Sequence, residues 1–262
     1  MPSHPVDASA IRTVLITGGS RGIGAATALL CARQGWAVLL NYVRNAQAAQ
    51  AVVAQIRGMG GQAQAVQADV ADEAQVQALF TTLDQYIQQG TLPPLGALVN
   101  NAGVVDQASR VDGITQTRLQ RLFATNVFGS FTCAREAVKR LSTRYGGPGG
   151  VIVNLSSGAA RLGSPHQYVD YAATKGAIDT FTIGLGKEVA AEGIRVNGVR
   201  AGLIDTDIHA SGGMPRRVEQ LVSEVPLQRA GSADEVAQAI AWLLSDGASY
   251  MTASLIDVTG GR

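Results

Sequence analysis

The 262-residue chain predicts an α/β fold built on a doubly wound sheet of seven parallel strands. Short β-branched or leucine-rich runs alternate with longer alanine-rich segments, a glycine-rich turn joins the first strand directly to a helix, and no repeat or low-complexity linker divides the chain. The predicted strands cover residues 11–17, 37–42, 63–68, 97–100, 151–155, 195–199 and 254–257. Helical segments fall between them at 23–34, 46–58, 73–88, 116–143, 169–191 and 233–245, each ending near glycine or a charged polar cluster. Right-handed crossovers then put helices on both faces and ligands beyond the carboxyl ends of the strands. Residues 1–10 read as a flexible tail and 11–262 as one domain. Within it, residues 203–230 contain Gly212, Gly213, Pro215 and Pro226, an irregular stretch that reads either as a lid over a ligand or as a plain surface loop.

Composition narrows the function. Hydrophobic residues make up 46% and charged residues 16%, which describes a globular chain with a large core. A net charge of +1 gives no basis for attraction to nucleic acid or an anionic membrane, so the expected partner is a small molecule. Cys31 and Cys133 lie in predicted helices without CxxC spacing and read as buried thiols in a reducing compartment. The first ten residues lack the apolar stretch of a signal peptide, and no run approaches the ~20 apolar residues of a membrane span, so a cytoplasmic location is expected. His4, His166 and His209 are too scattered for a metal site.

Two local patterns carry chemistry. The first strand runs into Thr17-Gly18-Gly19-Ser20-Arg21-Gly22-Ile23-Gly24 and then a helix, which aims backbone N–H groups and the positive helix end at a pyrophosphate. Farther along, Tyr171-Ala172-Ala173-Thr174-Lys175 sets a phenol and an ammonium four residues apart, on one face of a helix. A free tyrosine titrates near pH 10, and a nearby cation favours the phenolate. The expectation is therefore that Lys175 lowers the Tyr171 pKa and that Tyr171 serves as general acid and base. Ser157, closing the fifth strand, would hydrogen-bond the substrate oxygen beside it, with Ser156 as the other candidate.

The spacing Gly18-x3-Gly22-x-Gly24 resembles the cofactor turn of the short-chain dehydrogenase/reductase family. Further landmarks occur in order: Ala68-Asp69-Val70 after the third strand, Asn100-Asn101-Ala102-Gly103 after the fourth, and Asn126 in the long fourth helix. The resemblance implies that Asp69 and Val70 contact adenine, that Asn101, Ala102 and Gly103 shape the cofactor floor, and that Asn126 supports proton relay. Helix capping by Asp69 and turn chemistry at residues 100–103 are the structural alternatives. After the sixth strand comes Arg200-Ala201-Gly202-Leu203-Ile204-Asp205-Thr206, where the family usually has Pro-Gly and Ala201 replaces the proline. Ile204 would meet the nicotinamide amide, and Thr206 the phosphates.

Cofactor choice follows from the second strand. NAD enzymes of this architecture usually place a carboxylate at its end, where it binds the ribose hydroxyls and repels a 2′-phosphate. Here Tyr42 ends the strand, no Asp or Glu occurs between Asp7 and Asp69, and Arg21 and Arg44 supply guanidinium groups suited to a phosphate. The implied activity is NADP(H)-dependent hydride transfer between the nicotinamide and a carbonyl or secondary alcohol. Ketones, sugars, steroids and acyl thioesters are all substrates within the family. Tyr168, seven residues before Lys175, resembles the tyrosine of the superfamily's enoyl-thioester reductases, although those depart from the glycine turn that is complete here. A catalytically silent NADP-binding regulator is the reading from another class, and intact Asn126, Ser157, Tyr171 and Lys175 argue against it. The resemblance also implies a homotetramer, with residues 255–258 near a subunit contact.

Overall fold

The computed structural model describes residues 11–262, and the expected tail at 1–10 lies outside the described residues. All seven predicted strands form: β1 (Thr13–Ile16), β2 (Ala37–Tyr42), β3 (Ala63–Gln67), β4 (Leu95–Asn100), β5 (Gly150–Ser157), β6 (Ile194–Ala201) and β7 (Ser254–Val258). They make one parallel sheet in the order β3-β2-β1-β4-β5-β6-β7. This is a Rossmann-like architecture, and the strand order reverses between β1 and β4, so a crevice opens where their carboxyl ends diverge.

The helices are α1 (Gly22–Arg33), α2 (Ala46–Gly58), α3 (Glu73–Gln88), α4 (Gln116–Phe123), α5 (Gly129–Leu141), α6 (Ala159–Leu162), α7 (Val169–Val189), α8 (Ile208–Ser211), α9 (Arg217–Leu221) and α10 (Ala233–Leu244). Side chains alternate between the faces of the sheet, because a strand has a period of two. Val14, Ile16, Val38, Leu40, Val151 and Val153 thus pack with α1, α2 and α10, while Leu15, Leu39 and Ile152 join the opposite layer with α3 and α5. Both layers are apolar, as a parallel sheet covered on two faces requires.

Two expectations need revision. The helix predicted over 116–143 is not continuous: a π-helical turn at Ala124–Phe128 separates α4 from α5. Inside this turn the Asn126 side chain reaches back 22 residues to bond the backbone of Val104, and π-turns of this kind recur at functional sites. The segment 203–230 is less irregular than expected. It contains α8, α9 and a short 3-10 turn at Val222–Glu224, anchored by a small apolar cluster of Leu203, Leu221 and Val225.

One polar ladder fixes α7 against the sheet. Asn100 Nδ2 at the end of β4 donates to Asn154 Oδ1 on β5 at 2.9 Å, and Asn154 Nδ2 donates to Thr182 Oγ1 on α7 at 3.0 Å. All three side chains are buried, where an unpaired polar group costs about 1–3 kcal/mol. Asn154→Leu leaves the Asn100 amide without that acceptor and releases Thr182, so we expect a loss of about 2–4 kcal/mol, read as a lower urea midpoint at unchanged m-value. A midpoint within error of the parent would show that the ladder does not hold α7.

Candidate active site

The glycine turn is built to leave backbone exposed. Gly18 and Gly22 have φ of +64° and +53°, a left-handed conformation that side chains resist. A Cβ on Gly24 would come within 2.4 Å of Gly18 O and 2.5 Å of Asn101 Nδ2, so the first turn of α1 packs directly on the loop before it. Arg21 caps α1 without a side-chain hydrogen bond, and no acidic residue occupies the first turn. The N–H groups there and the positive helix end are left for an anionic ligand, which is what a dinucleotide pyrophosphate needs. Ser20 is half-buried beside this turn, and Ile23 packs against the core behind it.

The turn is braced from two sides. Thr17 Oγ1 accepts from the N–H of Asn101 and of Ala102, each at 3.0 Å, while Asn101 Nδ2 donates to the carbonyls of Thr17 and Gly18 at 2.8 and 3.1 Å. From β2, Asn41 accepts from Gly18 N at 3.2 Å and donates to Ala68 O at 2.6 Å. Sequence reading passed over Thr17 and Asn41, because nothing in their local spacing marks them. Asp69 forms a tight turn by accepting from Ala71 N, and the cap of α3 is Asp72 instead, so the capping alternative for Asp69 is set aside. Val70 is buried beside it, and Tyr42, Arg21 and Arg44 lie toward the surface at the β1 and β2 ends.

The predicted catalytic side chains converge. Ser157 lies close enough to the Tyr171 phenol to lower its pKa, although Ser157 Oγ itself donates to Ala201 O at 3.4 Å, and Lys175 Nζ lies 5.7 Å from the Tyr171 ring centroid. A Cβ on Gly103 would stand 3.5 Å from Asn126 Oδ1 and 3.6 Å from Lys175 Nζ, so both groups flank that glycine. Ser156 turns the other way: its Oγ donates to Asp179 Oδ1 at 2.5 Å. The choice between the two serines is therefore settled in geometry, with Ser157 beside the phenol. On the β6 side, Gly202 N donates to Val258 O, Ile204 bridges to Gly231, and the Thr206 methyl lies beside Gly22.

The electrostatics differ from the sequence expectation. Burial raises the Tyr171 pKa, partly offset by the Ser157 hydroxyl and by the charge of Arg217. Lys175 is only 4% exposed, and its ammonium donates to Leu155 O at 2.7 Å rather than to the phenol. Burial lowers its pKa to about 8, against which the Asp179 carboxylate acts. The reason is placement: a spacing of four brings Lys175 beneath the ring face, where the backbone of β5 is nearer than the hydroxyl. The Asn126 amide bonds Val104 N, Val104 O and Thr174 Oγ1, clamping the β4 exit to α7.

Sequence reading missed three further groups. Arg118 on α4 pairs with buried Asp170 at the start of α7 at 2.6 Å and donates to Gln107 O, tying the loop after β4 to the catalytic helix. Asp179 bonds Ser156 and Arg200, and Arg200 reaches Asp257 on β7. From α9, Arg217 reaches Gln167 and stacks on Tyr168. Only Asp179 had a local signal, four residues beyond Lys175 on the same helix face. Among the described residues, no group of His, Cys, Asp and Glu could hold a metal, and no helix is long and apolar enough to cross a membrane.

The chain is similar to known proteins over almost its whole length. The family profile described as Enoyl-(Acyl carrier protein) reductase matches residues 18–262. "Uncharacterized oxidoreductase YgfF" of Escherichia coli is 58% identical over 248 residues, covering 95% of this chain and 98% of that protein. The 3-oxoacyl-[acyl-carrier-protein] reductase of Synechocystis is 38% identical over 255 residues, covering 95% and 96%. Among solved structures, a short-chain dehydrogenase from Burkholderia cenocepacia in complex with NADP gives a TM-score of 0.84 at 33% identity, covering 95% of this chain and 97% of that one. A blue fluorescent protein from a metagenomic library, in complex with NADPH, matches with the same score, identity and coverage. The chain belongs to the short-chain dehydrogenase/reductase family and is an oxidoreductase.

The depressed Lys175 pKa has a consequence for stability. Between pH 8 and 10.5 the folded state releases a proton that the unfolded chain keeps, so stability rises with pH across that window. Relative to Lys175→Met, the wild-type protein should gain about 2 kcal/mol between pH 7 and 9.5, measured by urea denaturation at both values. A difference that stays flat with pH would place the ammonium in a far better solvated site.

Proposed function

We propose that the chain is an NADP(H)-dependent oxidoreductase acting on a carbonyl or secondary alcohol, with Tyr171 as general acid and base. The observation that carries this reading is the convergence of Tyr171, Ser157 and Lys175 at the carboxyl end of β5, with Lys175 Nζ 5.7 Å from the Tyr171 ring centroid. Bound NADPH would supply the hydride. The uncapped start of α1, the close-packed Gly18 and Gly24, and the walls formed by Asp69, Val70, Asn101, Ala102 and Gly103 suit a dinucleotide. Exposed Arg21 and Arg44, with no nearby acid on β2, suit a 2′-phosphate, as do the NADP and NADPH complexes of the structural relatives.

In the reductive direction, Ser157 holds the substrate oxygen by hydrogen bond and Tyr171 delivers its proton to that oxygen as negative charge develops there. A raised pKa keeps Tyr171 in the protonated form this step uses. The transfer leaves Tyr171 as a phenolate that regains its proton from solvent, while Asn126 and Asp179 hold α7 and Lys175 in position. The family profile carries an enoyl-reductase name, but Tyr168 is a weak proton donor here: it is 4% exposed, its pKa is raised by burial, and Arg217 stacks on its ring.

Residues 203–230, carrying α8 and α9, serve as the substrate lid of a single catalytic domain spanning 11–262. A homotetramer is consistent with the exposed aromatic rings of Phe128, Phe131 and Tyr250. Free, buried Cys31 and Cys133, both with thiol pKa raised to about 12 by burial, accord with a reducing cytoplasm.

Following NADPH and NADH oxidation against a carbonyl panel tests this assignment. Tyr171→Phe should lower kcat by about 100- to 10,000-fold, and Tyr168→Phe by far less. The reverse ranking would move the proton donor to Tyr168. NADPH should be preferred at least about tenfold in kcat/KM, a preference that Arg44→Gln reduces, whereas a preference for NADH overturns the cofactor assignment.

A further inference from the structure

Arg217 is a half-buried guanidinium whose side-chain partners include neither a carboxylate nor a set of backbone carbonyls. Arg118, Arg140 and Arg200 each pair with acids, and Arg195 donates to the carbonyls of Leu243, Ser245 and Met251. The partners of Arg217 are neutral: Nη1 donates to Gln167 Oε1 at 2.6 Å and points at Met214 Sδ at 3.6 Å, and its Cζ lies 4.8 Å over the Tyr168 ring. None of these cancels its charge. The other charged side chain acting on it, Arg262, is also a cation, itself paired with Glu224 at 2.6 Å.

Position gives the charge a purpose. Arg217 opens α9, in the segment that follows β6 over the carboxyl end of the sheet, and its charge is felt at the Tyr171 phenol. Gln167 and Tyr168, which hold it, directly precede the helix that carries the phenol, and the backbone leading to them is forced into left-handed turns at Ser164 and His166. A partly desolvated cation without a counter-ion is unfavourable unless something supplies one. Its fork of N–H donors matches a planar carboxylate.

We propose that Arg217 is a specificity-determining residue that binds a carboxylate of the substrate, so that the preferred substrates are oxo acids, or the hydroxy acids they form. This rests on the carbonyl chemistry proposed above and names its substrate class. In such a complex the carboxylate takes the unengaged donors of the guanidinium while the carbonyl oxygen of the same molecule lies between Ser157 and Tyr171.

The test uses the full chain with NADPH and matched pairs of 2- to 6-oxo acids and their methyl esters. The best acid should exceed its ester in kcat/KM by about 30-fold or more, mostly through KM, and Arg217→Gln should bring that ratio within about threefold. Arg217→Lys, which keeps the charge and loses the fork, should retain an intermediate ratio. A readout independent of any variant is competition: butanoate should inhibit ester reduction by the wild-type enzyme competitively, and butanamide should not. Equal rates on acids and esters, reduction of esters alone, or an acid preference that survives Arg217→Gln would overturn the assignment of Arg217 while leaving the carbonyl reaction standing. A wild-type protein inert on every carbonyl, acid or ester, would overturn the proposed function and this inference with it.

Discussion

The rotation of α7 about its own axis, fixed against β5, is the constraint from which the site follows. Four buried contacts set it: Asn154 to Thr182, Ser156 to Asp179, Leu155 O to Lys175 and Asn126 to Thr174. Each links a polar group that would be left unpaired in an apolar surrounding if the helix turned by one residue, about 100°. Apolar packing alone tolerates such slippage, because leucine and valine surfaces are interchangeable at modest cost. Directional bonds do not. The phenol of Tyr171 is therefore aimed by residues that never touch a substrate, and Ser157 meets it because its neighbour Ser156 is already committed to the interior.

Burial then decides which protonation states the pair adopts. The same desolvation pushes Tyr171 up and Lys175 down, in each case toward the neutral form. A phenol held protonated can donate a proton to an adjacent oxygen that is gaining charge. The lysine, with a pKa of about 8, can exchange its proton near physiological pH, whereas an ordinary lysine could not. Asp179 sets the limit on that shift, for without its carboxylate the buried ammonium would fall further. Catalytic tuning here depends on how much water the helix excludes as well as on which charges stand nearby.

What sequence alone could reveal divides along the same line. All seven strands, the glycine turn and the Tyr171–Lys175 pair were legible because each is written in local spacing: period two in the strands, left-handed glycines in the turn, four residues on a helix. The π-turn at Ala124–Phe128 was not, and the Asn126 side chain inside it reaches back to Val104 across the loop after β4. Arg118 with Asp170, 52 residues apart, and Arg217 with Gln167, 50 apart, are equally silent in sequence. The target of Lys175 was misread for a related reason, as helical spacing states which side chains are neighbours and says nothing of a strand carbonyl behind them.

These silent contacts share a location, and that location explains the division of labour in the fold. Arg118 and Asp106 bind the loop after β4, Asp170 and Gln167 the segment after β5, and Arg217 the segment after β6. Three connections that sequence leaves independent are thus stitched to one another above the sheet by charged and amide side chains. Beneath them, the residues for the common chemistry stand on β5 and α7 and are held by buried hydrogen bonds. The outer members of this network, such as Arg121 with Asp106, contribute little to folding and can vary, whereas the buried Arg118–Asp170 pair anchors the start of α7 itself. Under the assignment proposed for Arg217, substrate preference is set in these connections while the proton chemistry proposed for Tyr171 is held by the buried contacts of β5 and α7 below.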